Sequence, residues 1–186
     1  MTDGTRAGPG RTGFRGGFGL ADAPPLATQS WHRRRCRQPP FQNEGRGCPL
    51  SLYLDASALL PLFIQESRTD EAQEKLHGNV LVISDFAIAE FSSGVARRTR
   101  TGDIKESDAT LVFATFDAWI ANAAWRENLT TGDLANATAL IRRFDLGLRA
   151  PDALNIAITQ RCGAHLLTFD GKMAQSARAL GVNVIG

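Results

Sequence analysis

Residues 51–61, SLYLDASALLP, decide the fold. The first four, Ser51 to Leu54, form a run too short for a helix and apolar toward both sides, which is what a buried central strand requires. Asp55 follows directly. The chain behind it is expected to turn helical at Ser57 or Ala58, so that Pro61 falls in the first turn, where its missing N–H costs little. Three more runs share the pattern: Val80 to Ile83 (VLVI), His165 to Phe169 (HLLTF) and Val182 to Ile185 (VNVI). A weaker strand signal lies at Trp125 to Thr130. Short apolar runs alternating with segments of helical period predict strand–helix units around a parallel sheet, so the fold class is α/β.

The segments between the runs carry helical spacing. Ala109, Val112, Phe116, Trp119, Ile120 and Ala123 recur at three- and four-residue steps, which predicts a helix over about 106–124 whose stripe is core or a dimer surface. Leu134, Ala137, Ile141 and Phe144 repeat the signal in a second helix, ended by Leu146 and Gly147. Leu154, Ala157 and Ile158 mark a third. A last helix is expected from Lys172 to Leu180, stopped by Gly181.

Ahead of residue 51 the composition changes. Residues 1–50 hold eight arginines against Asp3, Asp22 and Glu44, a net charge of +5, whereas residues 51–186 carry thirteen basic and sixteen acidic groups, a net of −3. Nine of the eighteen glycines and six of the eight prolines also fall in the first segment, so it cannot build a core. It reads as a disordered Gly/Pro/Arg-rich extension, and the expectation is that the domain's own start lies near Leu50 to Leu52. The cluster Trp31, His32, Arg33, Arg34, Arg35 and Arg37 would suit an RNA-binding arm, but basic tracts are common and one ring is weak support. His32, Cys36 and Cys48 lack zinc-ligand spacing. Cys36, Cys48 and Cys162 form no disulfide pattern, and no run of eighteen apolar residues exists to span a membrane; a cytoplasmic protein is the expectation.

Chemistry is carried by the acids. Asp55 follows the first strand and Asp170 a later one. In an open parallel sheet both ends face one side, where ligands bind. Asp152 opens a helix behind Pro151 and reaches the same edge. Glu90 sits one and a half turns into a helix that starts near Ser84 and Asp85, on the side shared with Phe86, Ala89 and Ser93. Singly, the aspartates are explained as helix caps, and Glu90 as a solvated or salt-bridged surface acid. Jointly they would repel one another unless a cation compensates. Oxygen ligands without His or Cys select Mg²⁺ or Mn²⁺ over zinc, and such ions support phosphodiester hydrolysis. His77 and His165 read as structural.

In this order, LYLDASALL around Asp55, SDFAIAEF around Glu90, RAPDALNIA around Asp152 and LLTFD ending at Asp170 resemble the four acidic motifs of PIN domains, over residues 51–186. Within that family the sequence looks most like the VapC-type toxins. The resemblance implies a three-layer α/β/α fold with a central parallel sheet of about five strands. It further implies an Mg²⁺-dependent ribonuclease, a VapB-type antitoxin that inserts a segment into the acidic pocket, and a homodimer formed by helices near the start of the domain. The family's four acids carry over as Asp55, Glu90, Asp152 and Asp170, with Ser57, Asn155 and Thr168 at flanking positions. Two departures are the 50 residues ahead of the first strand and Pro61 where many relatives have a basic residue.

A net negative domain needs local cations to hold RNA. Arg149 and Lys172, each within three residues of a predicted acid, are the foremost candidates, ahead of Arg97, Arg98 and Arg100, which a helix C-terminus would favour anyway. A receiver-type phospho-acceptor fits poorly because Thr168 and Lys172 crowd one strand, and an aspartyl-nucleophile phosphatase would want Asp where Ser57 stands. The stronger competitor is a non-catalytic PIN-like module that binds RNA or protein without cutting.

Overall fold

The computed structural model describes residues 50–186. Cys36, Cys48 and the arginine cluster at 33–37 lie outside them. Five strands form one sheet: β1 (Ser51–Leu54), β2 (Val80–Ser84), β3 (Ala124–Glu127), β4 (His165–Leu167) and β5 (Val184–Ile185). All neighbours pair in parallel, in the order β3-β2-β1-β4-β5. Leu52, Tyr53 and Leu54 of the central strand are completely buried, as a strand covered on both faces demands.

Seven helices connect the strands among the described residues: α1 (Ala56–Phe63), α2 (Thr69–Leu76), α3 (Asp85–Arg100), α4 (Glu106–Ala123), α5 (Thr131–Ile141), α6 (Ala150–Cys162) and α7 (Gly171–Ala179). From β1 to β3 the chain steps one way across the sheet, and from β3 to β5 it steps back. Right-handed crossovers therefore put α1 to α4 on one face and α5 to α7 on the other, in agreement with which helices pack together. The reversal lies between β1 and β4. At such a point the connections leave in opposite directions and a crevice opens beyond the strand ends. No helix of the described residues is long and apolar enough to cross a membrane.

The predicted α4 stripe is core: Ala109, Val112, Phe116 and Ile120 are buried. Phe116 stacks on Phe91 of α3 with centroids 3.8 Å apart, and Phe63 of α1 meets both rings edge-on. At the C-terminus of α7, Gly181 takes a positive φ of 77° while the Val182 N–H returns to the Ala177 carbonyl, the expected helix stop.

Other boundaries differ from expectation, each for a local reason. Strand β4 ends at Leu167 rather than Phe169, because the Phe169 N–H donates to the Ser57 hydroxyl instead of to a strand. Strand β5 keeps only Val184–Ile185 of the expected 182–185. Strand β3 runs from Ala124 to Glu127 instead of Trp125 to Thr130, since Thr130 already caps α5. Helix α1 starts at Ala56, capped by Asp55, so Pro61 is its sixth residue, past the first turn, and removes the helical bond to the Ser57 carbonyl. Helix α2 had no forecast, as its sequence TDEAQEKL contributes only Ala72 and Leu76 to the core.

The largest departure is α5. It ends at Ile141, well before Gly147; Phe144 is 93% exposed, and Leu134 and Ile141 are exposed as well. Its anchor is polar. Asp133, fully buried, accepts from Arg161 Nε of α6 at 2.7 Å, while the same guanidinium donates to Glu127 Oε2 and the Asn128 carbonyl, both at 3.1 Å. That ion pair, with Ala137, sets which side of α5 faces inward, and the apolar stripe turns outward.

Arg161→Met should therefore cost about 3 kcal/mol in urea denaturation, because it strands the enclosed Asp133 carboxylate. Phe144→Ser, at a site touching little, should change stability by less than about 0.5 kcal/mol. Equal effects of the two would refute the polar anchor.

Candidate active site

The carboxyl ends of β1 and β4 are stitched by hydroxyls. Asp55 ends β1 and is 5% exposed; its N–H donates to the Leu167 carbonyl at 3.3 Å, carrying the β1–β4 pairing one residue further. Its Oδ1 accepts from the Ser57 hydroxyl at 2.8 Å and from the Ala58 N–H at 3.1 Å. The Ser57 oxygen in turn accepts from the Phe169 N–H at 2.8 Å and lies 3.2 Å from the Thr168 hydroxyl. Ser57 has one proton and gives it to Asp55, and the Thr168 hydroxyl also acts on that carboxylate. Thr168 Oγ1 also accepts from the Asp170 N–H at 3.0 Å. Two hydroxyls thus tie the carboxylate ending β1 to the backbone that follows β4.

Glu90, half-buried in α3, accepts from Asn155 Nδ2 at 2.8 Å. Asn155 is 2% exposed and belongs to α6, so this bond joins the two helical layers over the sheet edge. Asp152, third in α6, accepts from the Arg149 N–H at 3.1 Å. Asp170 caps α7, accepting from the Lys172 and Met173 N–H groups at 2.9 and 3.0 Å. Capping by Asp55, Asp152 and Asp170 is therefore real. These bonds fall on a single oxygen of each of the four carboxylates.

Burial pushes the Asp55 carboxyl up to about 6, against the pull of the Ser57 and Ala58 hydrogen bonds. Burial also raises Glu90; Asn155 opposes this, and the charges of Asp55 and Asp152 add to it. Three acids therefore share one electrostatic field, with Asp170 linked to Asp55 through Thr168 and Ser57. They do not form a closed cage: among the described residues no three His, Cys, Asp or Glu side chains converge tightly enough to enclose an ion. Asp55, Asp152 and Asp170 are each held at a helix start and Glu90 by Asn155. The donors still fit a hard divalent cation in kind, being all oxygen and bearing uncompensated negative charge. His77 lies ahead of β2 and His165 is the first residue of β4, so both stand toward the opposite edge of the sheet.

Arg149 and Lys172 are exposed beside Asp152 and Asp170. Arg98 is instead committed to an ion pair with Glu66, and Arg97 and Arg100 lie about 10–15 Å further along the α3 axis from Glu90. Sequence reasoning missed three participants. Arg68, in a region given no forecast, stacks its guanidinium 4.8 Å from the centre of the Phe169 ring. Tyr53 and Ser84 share a hydrogen bond of 2.7 Å beneath Asn155. The signal for Tyr53 was available: it is the only tyrosine of the chain and stands inside an otherwise apolar strand, where a buried hydroxyl must find partners.

The PIN domain family model matches residues 52–179. The chain is 26% identical over 132 residues to "Ribonuclease VapC3" of Pyrobaculum aerophilum, a match that covers 70% of this chain and 98% of that protein. Solved structures share the fold. One is VapC20 of Mycobacterium tuberculosis, described as a sarcin–ricin-loop-cleaving toxin, with a TM-score of 0.56, 18% identity and coverage of 67% of this chain and 94% of that one. Another is VapBC2 of Rickettsia felis bound to a promoter DNA fragment, with a TM-score of 0.55, 13% identity and coverage of 73% and 98%.

Asp55 supplies a test that needs no substrate. Its carboxyl titrates near 3.9 unfolded and about 6 folded. Between those values the folded state holds the proton and the unfolded state does not, so stability falls as pH rises through 6, by about 3 kcal/mol once ionisation is complete. In EDTA, Asp55→Asn, which keeps the acceptor for Ser57 and Ala58, should be more stable than the parent by about 1–3 kcal/mol at pH 8. Near pH 4 the advantage should vanish. Thermal unfolding across that range reads both, and a variant less stable than the parent at pH 8 would contradict the buried charge.

Proposed function

This chain belongs to the PIN-domain family, and from that membership we propose that it is a metal-dependent endoribonuclease, the toxin of a toxin–antitoxin pair. The observation that carries the reading is the placement of the buried Asp55 and the half-buried Glu90, with Asp152 in the same field, at the carboxyl edge where the sheet order reverses. Asp55, Glu90 and Asp152, with Asp170 beside them, are the residues that would hold Mg²⁺ or Mn²⁺. The ion, when bound, acidifies a water and offsets the charge that grows on the phosphate.

The protein's own part is positioning. Ser57 and Thr168 hold Asp55, and Asn155 holds Glu90, so the acids meet the ion with little left to rearrange. Hydrolysis joins a water oxygen to phosphorus as a P–O ester bond breaks. Arg149 and Lys172 flank the edge and supply the positive charge that a net negative domain needs to retain RNA. A VapB-type antitoxin, in keeping with the VapBC complex, and a homodimer, implied by the family resemblance alone, complete the proposal. Residues 51–186 form the nuclease unit, and residues 1–50 take no part in cutting.

The decisive assay is cleavage of structured and unstructured RNA by the full chain and by residues 51–186, each with Mg²⁺, Mn²⁺ or EDTA. Cutting should require the metal. Asp55→Ala and Asp152→Ala should lose more than about a hundredfold, beyond the 10–100-fold typical of groups behind the ligands. RNA bound but left intact by every form would identify a non-catalytic module instead. In an Asp55→Ala background, Lys172→Ala and Arg149→Ala should each lower the salt dependence of single-stranded RNA binding by about 0.7 in log–log slope, the signature of one lost phosphate contact. Unchanged slopes would remove both from the interface.

A further inference from the structure

We infer that the Tyr53 hydroxyl is a positioning group for Glu90, acting through the side-chain amide of Asn155. The inference rests on the metal-site reading above and extends it to a residue that touches neither metal nor substrate.

The donors in the network can be assigned in sequence. The Tyr53 hydroxyl donates to Asn155 Oδ1 at 2.8 Å, which uses its only proton. The Ser84 hydroxyl, 2.7 Å away, must then donate to the Tyr53 oxygen. Ser84 Oγ at the same time accepts from the Ala87 N–H at 3.0 Å, which caps the helix that carries Glu90. With Oδ1 held by tyrosine, the amide can present only Nδ2 to Glu90, where it donates at 2.8 Å. The phenol as donor and the carboxylate as acceptor thereby require the same orientation of the amide. Rotated by half a turn, Asn155 would aim its oxygen at a carboxylate.

Burial makes this choice consequential. Tyr53 and Ser84 are fully enclosed and Asn155 is 2% exposed, so none can exchange a lost partner for bulk water without cost. The chain of bonds runs from β1 and β2 through α6 to α3, crossing from one helical layer to the other. It links the Glu90 carboxylate to the centre of the sheet.

The test is Mn²⁺ titration of the full chain by calorimetry, with RNA cleavage alongside, for Tyr53→Phe, Asn155→Leu, their double variant and Glu90→Gln. Tyr53→Phe keeps the ring, and cooperative thermal unfolding checks that the fold is retained. The expected result is a 10–100-fold weaker Mn²⁺ affinity for Tyr53→Phe and for Asn155→Leu, roughly as for other groups that orient metal ligands. The double variant should be no weaker than Asn155→Leu alone, because both act on one bond. The KM for RNA should stay put while kcat falls. If Glu90→Gln weakens Mn²⁺ binding but Tyr53→Phe binds within twofold of the parent, or if the single losses simply add, the positioning role is overturned and the metal-site reading stands. If Glu90→Gln binds Mn²⁺ like the parent, the metal-site reading itself falls and the inference with it.

Discussion

A carboxylate held almost out of water at the end of a completely buried strand is the constraint around which this domain is arranged. Asp55 can be charged there only because the Ser57 hydroxyl and the Ala58 N–H meet it, and those groups exist only because α1 begins at once. The same Ser57 oxygen receives the Phe169 N–H and faces Thr168, so the requirement propagates to the end of β4. The local start of a helix and the pairing of the two strands at the sheet's reversal point are thus one hydrogen-bonded unit. Hydrogen bonds lower the cost of burying this charge but do not cancel it, as the direction of its titration shows.

Glu90 is supported from the opposite side in a comparable manner. Asn155 reaches it from the other helical layer, and Tyr53 and Ser84 stand behind Asn155 in the sheet. Both acids are therefore fixed by neutral donors rather than by lysine or arginine. A neutral shell preserves the negative potential of the edge, whereas an ion pair would cancel it. The cations near the site, Arg149 and Lys172, meet Asp152 and Asp170 through backbone N–H groups, which leaves their side chains exposed. Such a division would suit the proposed function, with metal at the inner part of the edge and phosphate at its rim.

Much of this was legible in the sequence because it follows from strand ends. Buried parallel strands must be apolar on both faces, so SLYL and VLVI announce themselves, and an acid directly after such a run has to lie at the carboxyl edge. The α4 stripe was equally plain, since Ala109, Val112, Phe116 and Ile120 repeat on one face. What escaped was set by polar contacts between distant residues. Nothing in the spacing of Leu134, Ile141 and Phe144 reveals that Arg161, on another helix, pins Asp133 and turns those side chains outward. The strands stop short of Phe169 and Thr130 for a similar reason, as the Ser57 hydroxyl takes the Phe169 N–H and the Asp133 carboxylate takes the Thr130 N–H. Nor does spacing along the chain reveal which carboxylates lie near one another, because that depends on caps and on the Asn155 bond between helices.

The central claim is that this edge is a divalent metal site, and diffraction from crystals of the protein grown with Mn²⁺ tests it most directly. Anomalous scattering is predicted to place Mn²⁺ beyond the carboxyl ends of β1 and β4, with Asp55 as a direct oxygen ligand and Glu90 or Asp152 completing the protein share of its shell. Mn²⁺ bound elsewhere while this edge stays bare, at concentrations that saturate the protein, would contradict the account.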